Sequence, residues 1–133
     1  MIDIENEVNT VIFNAVQPSY PNAAFESELD LTPSVFPCIC VEEIGNASRT
    51  DTADTKSNEN HANVTYEINI FTNKTSGKRT QARAILSLID NALLVRGFER
   101  DTINPIPLDS GTKYRLVARY SASVSANKRI YGR

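Results

Sequence analysis

Val64-Thr65-Tyr66-Glu67-Ile68-Asn69-Ile70-Phe71 sets apolar Val64, Tyr66, Ile68 and Ile70 against polar Thr65, Glu67 and Asn69. That period of two is the pattern of a strand with one face buried. After a break at residues 73–77, Ala82, Ile85, Leu86, Ile89 and Leu93 recur on one helical stripe. The helix starts near Ser76 or Gly77 and stops at Gly97, which follows Arg96 as a C′ glycine should. Residues 98–103 read as the next strand, which residues 104–109 continue irregularly, and Asp109-Ser110-Gly111 as a turn. Tyr114, Leu116, Ala118, Tyr120, Ala122 and Val124 alternate over a long last strand. Residues 64–124 are thus given to a sheet and its helix, which points to assembly before chemistry.

Upstream, Ile4, Val8, Val11, Ile12 and Ala15 form an amphipathic helix, with Asp3 as its expected N-cap and Glu5 and Glu7 in the first turn. Pro18 and Pro21 end it, and residues 19–34 read as an irregular connector. Residues 36–44 read as a strand buried on both faces, with Pro37 at its start or on an edge. Residues 45–62 contain no apolar side chain larger than Ala and read as a long polar loop. Such a loop is either a mobile hairpin tip or an arm that orders against a neighbouring subunit. The basic tail, residues 126–133, is expected to be mobile.

The chain has 133 residues, 41% of them hydrophobic and 23% charged, which suits one domain of ordinary size. No apolar run approaches the roughly 20 residues of a membrane span. The acidic start lacks the basic residues of a signal peptide, so an intracellular soluble protein is expected. The net charge of −2 hides an asymmetry. Residues 1–59 hold 11 acids against Arg49 and Lys56, and residues 60–133 hold 12 bases against 5 acids. The halves neutralise each other on packing, or one surface is acidic and another basic, so that copies dock head to tail; a basic stripe for nucleic acid is a third reading, against which the pI near 5.4 argues.

Motifs for chemistry fail on inspection. Ser76-Gly77-Lys78-Arg79-Thr80 lacks both the leading glycine and the Ser or Thr after Lys that a phosphate loop requires. His61 is the single histidine and has no nucleophile turn near it, so a surface position is expected. Glu42 and Glu43 point to opposite faces of a strand, and Asp51 and Asp54 lack the ligand density of a calcium loop. Cys38 and Cys40 share one strand face and read as buried reduced thiols, too few for a four-ligand zinc site. No cofactor and no catalytic or metal residue is expected. The candidates for an assembly interface are Arg49, Asp51, Asp54, Lys56, Lys78, Arg79, Arg83, Arg115 and Arg119. Arg115 and Arg119 lie opposite Leu116 and Tyr120, where they face solvent, a ring lumen, or acids of a neighbouring copy.

In its order of elements the whole chain resembles the tail terminator proteins of long-tailed bacteriophages, also called tail completion or minor capsid proteins. The resemblance rests on the N-terminal helix, the strand at 36–44, the polar loop and the strand that begins Val64-Thr65-Tyr66. It extends through Ala82-Arg83-Ala84-Ile85-Leu86, Gly97-Phe98 and Tyr114-Arg115-Leu116-Val117-Ala118. It implies an α+β fold, a four-stranded, mainly antiparallel sheet covered by two helices. It also implies a hexameric ring at the tail end of the virion, assembled in the host cytoplasm. The ring caps the finished tail tube, stops its growth and docks the head connector, while DNA only passes through the lumen. Two alternatives are a head-completion or stopper protein of the neck, and a single-stranded nucleic-acid binder using Tyr66, Tyr114 and Tyr120 on an open sheet. An enzyme is not expected.

Overall fold

The computed structural model describes residues 1–48, 61–108, 111–128 and 130–131. In chain order these form α1 (Glu5–Val16), β1 (Ala24–Glu26), β2 (Cys38–Ser48), β3 (His61–Thr72), α2 (Lys78–Val95), β4 (Glu99–Ile106), β5 (Tyr114–Ser125) and β6 (Ile130–Tyr131). The class is α+β. The sheet has more strands than the four expected: five run in the order β1-β2-β3-β5-β4, and β6 pairs with β5. The β2–β3, β3–β5, β4–β5 and β5–β6 pairs are antiparallel, whereas β1 runs parallel to β2.

Alternation decides which face is covered. Val64, Tyr66, Ile68 and Ile70 of β3 lie beside Ala122, Tyr120, Ala118 and Leu116 of β5, and all are buried. Both helices pack on this face and on each other: α1 buries Val8, Ile12 and Val16, and α2 buries Ala82, Ile85, Leu86, Ile89 and Leu93. Burying a side chain of the size of Ile89 or Leu93 contributes about 1.5–3 kcal/mol, so the stripe and not intrinsic propensity holds α2 in place. α1 sits toward β1 and β2, where Phe13 meets Phe25 edge to face at 5.0 Å. α2 crosses from β3 to β4, two strands that run the same way with β5 inserted between them.

Several local expectations need correction. Asp3 is not the N-cap of α1; Ile4 is, and Asp3 Oδ1 accepts the Glu5 N–H at 3.0 Å from one residue earlier. The connector at 19–34 holds a strand, β1, because Ala24, Phe25 and Glu26 find free ladder positions beside Cys38, Ile39 and Cys40. Residues 45–48 and 61–62 are not loop. They extend the β2–β3 ladder past a bulge between Glu43 and Gly45, and residues 49–60 lie outside the described residues. Past a bulge at Asp101, β4 continues to Ile106 through Pro105, which an edge strand tolerates because its missing N–H costs no ladder bond. The basic tail is in part ordered: β6 pairs with Ser123 and Val124. His61 is half-buried in β3 opposite Ser125 and is not a surface loop residue.

The start and end of α2 agree with the glycine signals. Gly77 and Gly97 take φ of 84° and 102°. Phe98 N–H donates to the Leu93 carbonyl and Gly97 N–H to that of Leu94, both at 3.1 Å, the paired bonds of a Schellman cap.

Candidate functional site

The helix-free face of the sheet is built from the alternate residues of the same strands. It carries Ala24 and Glu26 of β1, Cys38, Cys40 and Glu42 of β2, and Glu67, Asn69 and Phe71 of β3. Arg115, Val117, Arg119 and Ser121 of β5 continue it, and Thr102 and Asn104 of β4 close it. Arg115 and Arg119 lie here, side by side with β3. Arg119 meets the Glu67 carboxylate at 3.0 Å, and Arg115 Nε donates to Asn69 Oδ1 at 2.8 Å while its guanidinium lies over the Phe71 ring. Both guanidiniums therefore have partners within the chain. Ser121 donates to Asp101, the residue set out of register by the β4 bulge, at 2.7 Å.

Lys78, Arg79 and Arg83 lie on α2, across the sheet from Arg115 and Arg119. Arg79 and Arg83 are exposed; Lys78 is half-buried, and its carbonyl accepts the Thr72 hydroxyl at 2.8 Å. The structure thus divides the candidate cations between two surfaces. Arg49, Asp51, Asp54 and Lys56 lie outside the described residues. Arg100, which sequence reasoning passed over, joins Arg83 at a groove of about 330 Å³ between α2 and β4, and pairs with Asp90 at 3.0 Å. A second groove, of about 380 Å³, lies between α1 and β1 and is bordered by Phe13, Phe25 and Glu26.

Charge separates in space as it does along the chain. The first 48 residues contain eight acids and no Lys, Arg or His. They supply α1, β1 and β2, one edge of the molecule. The opposite edge, made by α2, β5 and β4, carries Lys78, Arg79, Arg83, Arg96, Arg100, Arg115 and Arg119 against Asp90, Glu99 and Asp101. Mutual neutralisation is slight. Among the described residues one ion pair joins the first 48 residues to the rest of the chain, Lys128 to Glu7 at 3.1 Å, with both side chains about half exposed. Glu7 is held below the usual carboxylate range by its own backbone N–H and then by Lys128.

At the acidic edge of the helix-free face, Cys38, Cys40 and Phe71 form a small apolar cluster with Ala24 and Phe36. The Cys38 and Cys40 sulfurs are 3.9 Å apart, and Glu26 Oε2 lies 4.0 Å from Cys40 Sγ. Burial pushes the Cys38 thiol up to about 12, with the neighbouring Cys40 adding to the shift, and burial also raises Cys40. The sequence placed the two thiols on one face. It could not supply Glu26, because nothing in the connector signals a strand.

No protein-family model matches the chain, and no curated protein matches it either.

Proposed function

We propose that this chain is a phage virion assembly protein. Identical copies join head to tail into a hexameric ring that caps the completed tail tube, stops its polymerisation and docks the head connector. The observation that carries this proposal is the charge polarity of the fold, an acidic α1–β1–β2 edge and a basic α2–β4–β5 edge on one subunit. A surface of one sign cannot pair with itself, so complementary edges favour a heterologous contact, and a heterologous contact closes into a ring when its rotation permits. The grooves at the two edges offer shape for such a contact: Phe13 and Phe25 border one, and Arg83 and Arg100 the other. Exposed Val95 and Leu94 at the end of α2 and Phe13 on α1 supply apolar area beside the charges. Lys78, Arg79 and Arg83 belong to the basic side of this contact. The helix-free face, where Arg119 is matched by Glu67, suits a lumen that lets DNA slide without holding it.

The nucleic-acid-binding alternative is weakened by burial. Tyr66 and Tyr120 are fully buried beneath the helices and offer no ring to a base. In sedimentation velocity at low salt, the ring should be lost in the Arg79→Glu/Arg83→Glu variant and weakened by added salt. In an infection without this protein, overlong tails detached from heads are expected. Tails of normal length beside leaking heads would assign the chain to the neck stopper instead, and normal virions would refute both.

A further inference from the structure

We propose that Glu26, Cys38 and Cys40 bind a thiophilic divalent cation of the Zn²⁺ type, clamping β1 to β2 at the edge of the sheet. The three side chains converge because of the parallel register. Ala24 and Glu26 stand beside Cys38 and Cys40, and alternation puts all four on the helix-free face. The two sulfurs and a Glu26 carboxylate oxygen lie within 4.8 Å of one another. Tetrahedral zinc, with Zn–S of about 2.3 Å and Zn–O of about 2.0–2.2 Å, sets its S···S edge at about 3.8 Å and its S···O edge at about 3.6 Å. The Cys38–Cys40 separation of 3.9 Å already matches the first edge, and the Cys40–Glu26 distance of 4.0 Å closes to the second by a small rotation of the Glu26 side chain. The fourth position falls to a solvent oxygen, as in other sites with three protein ligands.

The surroundings suit a cation better than they suit packing alone. Phe71, Phe36 and Ala24 pack around the thiols, with Arg115 over the Phe71 ring and Lys113 over that of Phe36, and in that setting a carboxylate turned toward two thiols contributes nothing to hydrophobic burial. The Asp30 carboxylate adds negative charge near both sulfurs. Glu26 is half-buried, which leaves a route from solvent. Without a cation these charges oppose ionisation of the thiols; a bound dication reverses the balance, and both thiol protons pass to solvent. The gain falls on a weak element, since β1 has three residues and a single strand partner.

Titration of the reduced, full-length chain with Co²⁺ tests this. We expect one equivalent to bind, with a thiolate-to-cobalt charge-transfer band in the near ultraviolet and visible bands of tetrahedral intensity. Zn²⁺ should displace it and release about two protons per ion. Cys38→Ser and Cys40→Ser should each lose about half of the charge-transfer intensity. Glu26→Gln should keep both thiolate bands while weakening affinity by about tenfold or more, at least the loss seen when a supporting partner is removed. A folded wild-type chain that shows no charge-transfer band at saturating Co²⁺ would overturn the proposal. So would an unchanged band in the double cysteine variant, or alkylation of the wild-type thiols that Zn²⁺ does not slow. The last measurement needs no variant to fold.

Discussion

Tyr120 and Tyr66 each end a fully buried ring in a hydroxyl that needs an acceptor. Tyr120 donates to Asp90 at 2.7 Å and Tyr66 to Glu43 at 2.9 Å. Asp90 also holds Arg100 and is mostly shielded, with 15% of its side chain exposed. Tyr120→Phe should therefore cost about 1–2 kcal/mol in denaturant unfolding, whereas Asp90→Ala should cost more, because it leaves the buried hydroxyl without its acceptor, while the half-exposed Arg100 turns to water. The same burial sets an alkaline limit. Cys38 is raised from near 9 to about 12, and both tyrosines are raised above their ordinary range, by burial first and then by the carboxylates they touch. Between pH 9 and 12 the folded chain retains protons that the unfolded chain gives up, so stability falls as pH rises through that window. Thermal midpoints should drop steadily above pH 9, and a midpoint that stays flat to pH 11 would contradict it. Alternation marked both tyrosines as core. Their acceptors, 30 and 23 residues away in sequence, left no mark in the strand pattern.

At the scale of elements, the long ones were legible and the short ones were not. α2 could be bounded because its stripe, Gly77 and Gly97 all act locally. A Cβ at Gly97, where φ is 102°, meets the backbone clash of the left-handed region. Gly97→Ala should lower stability by about 1–2 kcal/mol and Gly97→Asn by less, read as shifts in the denaturant midpoint with an unchanged slope. β1 and β6 have three and two residues, too few to show a period, and exist only because β2 and β5 present open ladder positions. The extension of β2 to Ser48 was hidden for another reason: Gly45, Asn46, Ala47 and Ser48 have turn-like composition, and pairing with β3 overrides it. Asp3 was a sound N-cap residue displaced by one position, since Ile4 is drawn into the core.

For the whole molecule, β3 and β5 are paired on both sides and covered on one face by α2, while β1 and β6 each hang on one neighbour. Amides of Ile68, Ile70, Ala118 and Tyr120 should exchange only through global unfolding, and those of β1 should exchange far faster. Slow exchange in β1 of the metal-free chain would contradict this. Alternation at 64–70 and 114–124, the helical stripes and the imbalance of charge between the halves were all determined by the sequence alone, because each depends on neighbours along the chain. The tertiary structure decided the order β1-β2-β3-β5-β4, the insertion of β5 between β3 and β4, and the approach of Glu26 to two cysteines. Strand partners are chosen by competition among all the edges at once, and no residue carries that choice in its own neighbourhood. Only when the chain is laid out in that order does an imbalance along the sequence become an acidic edge and a basic edge in space.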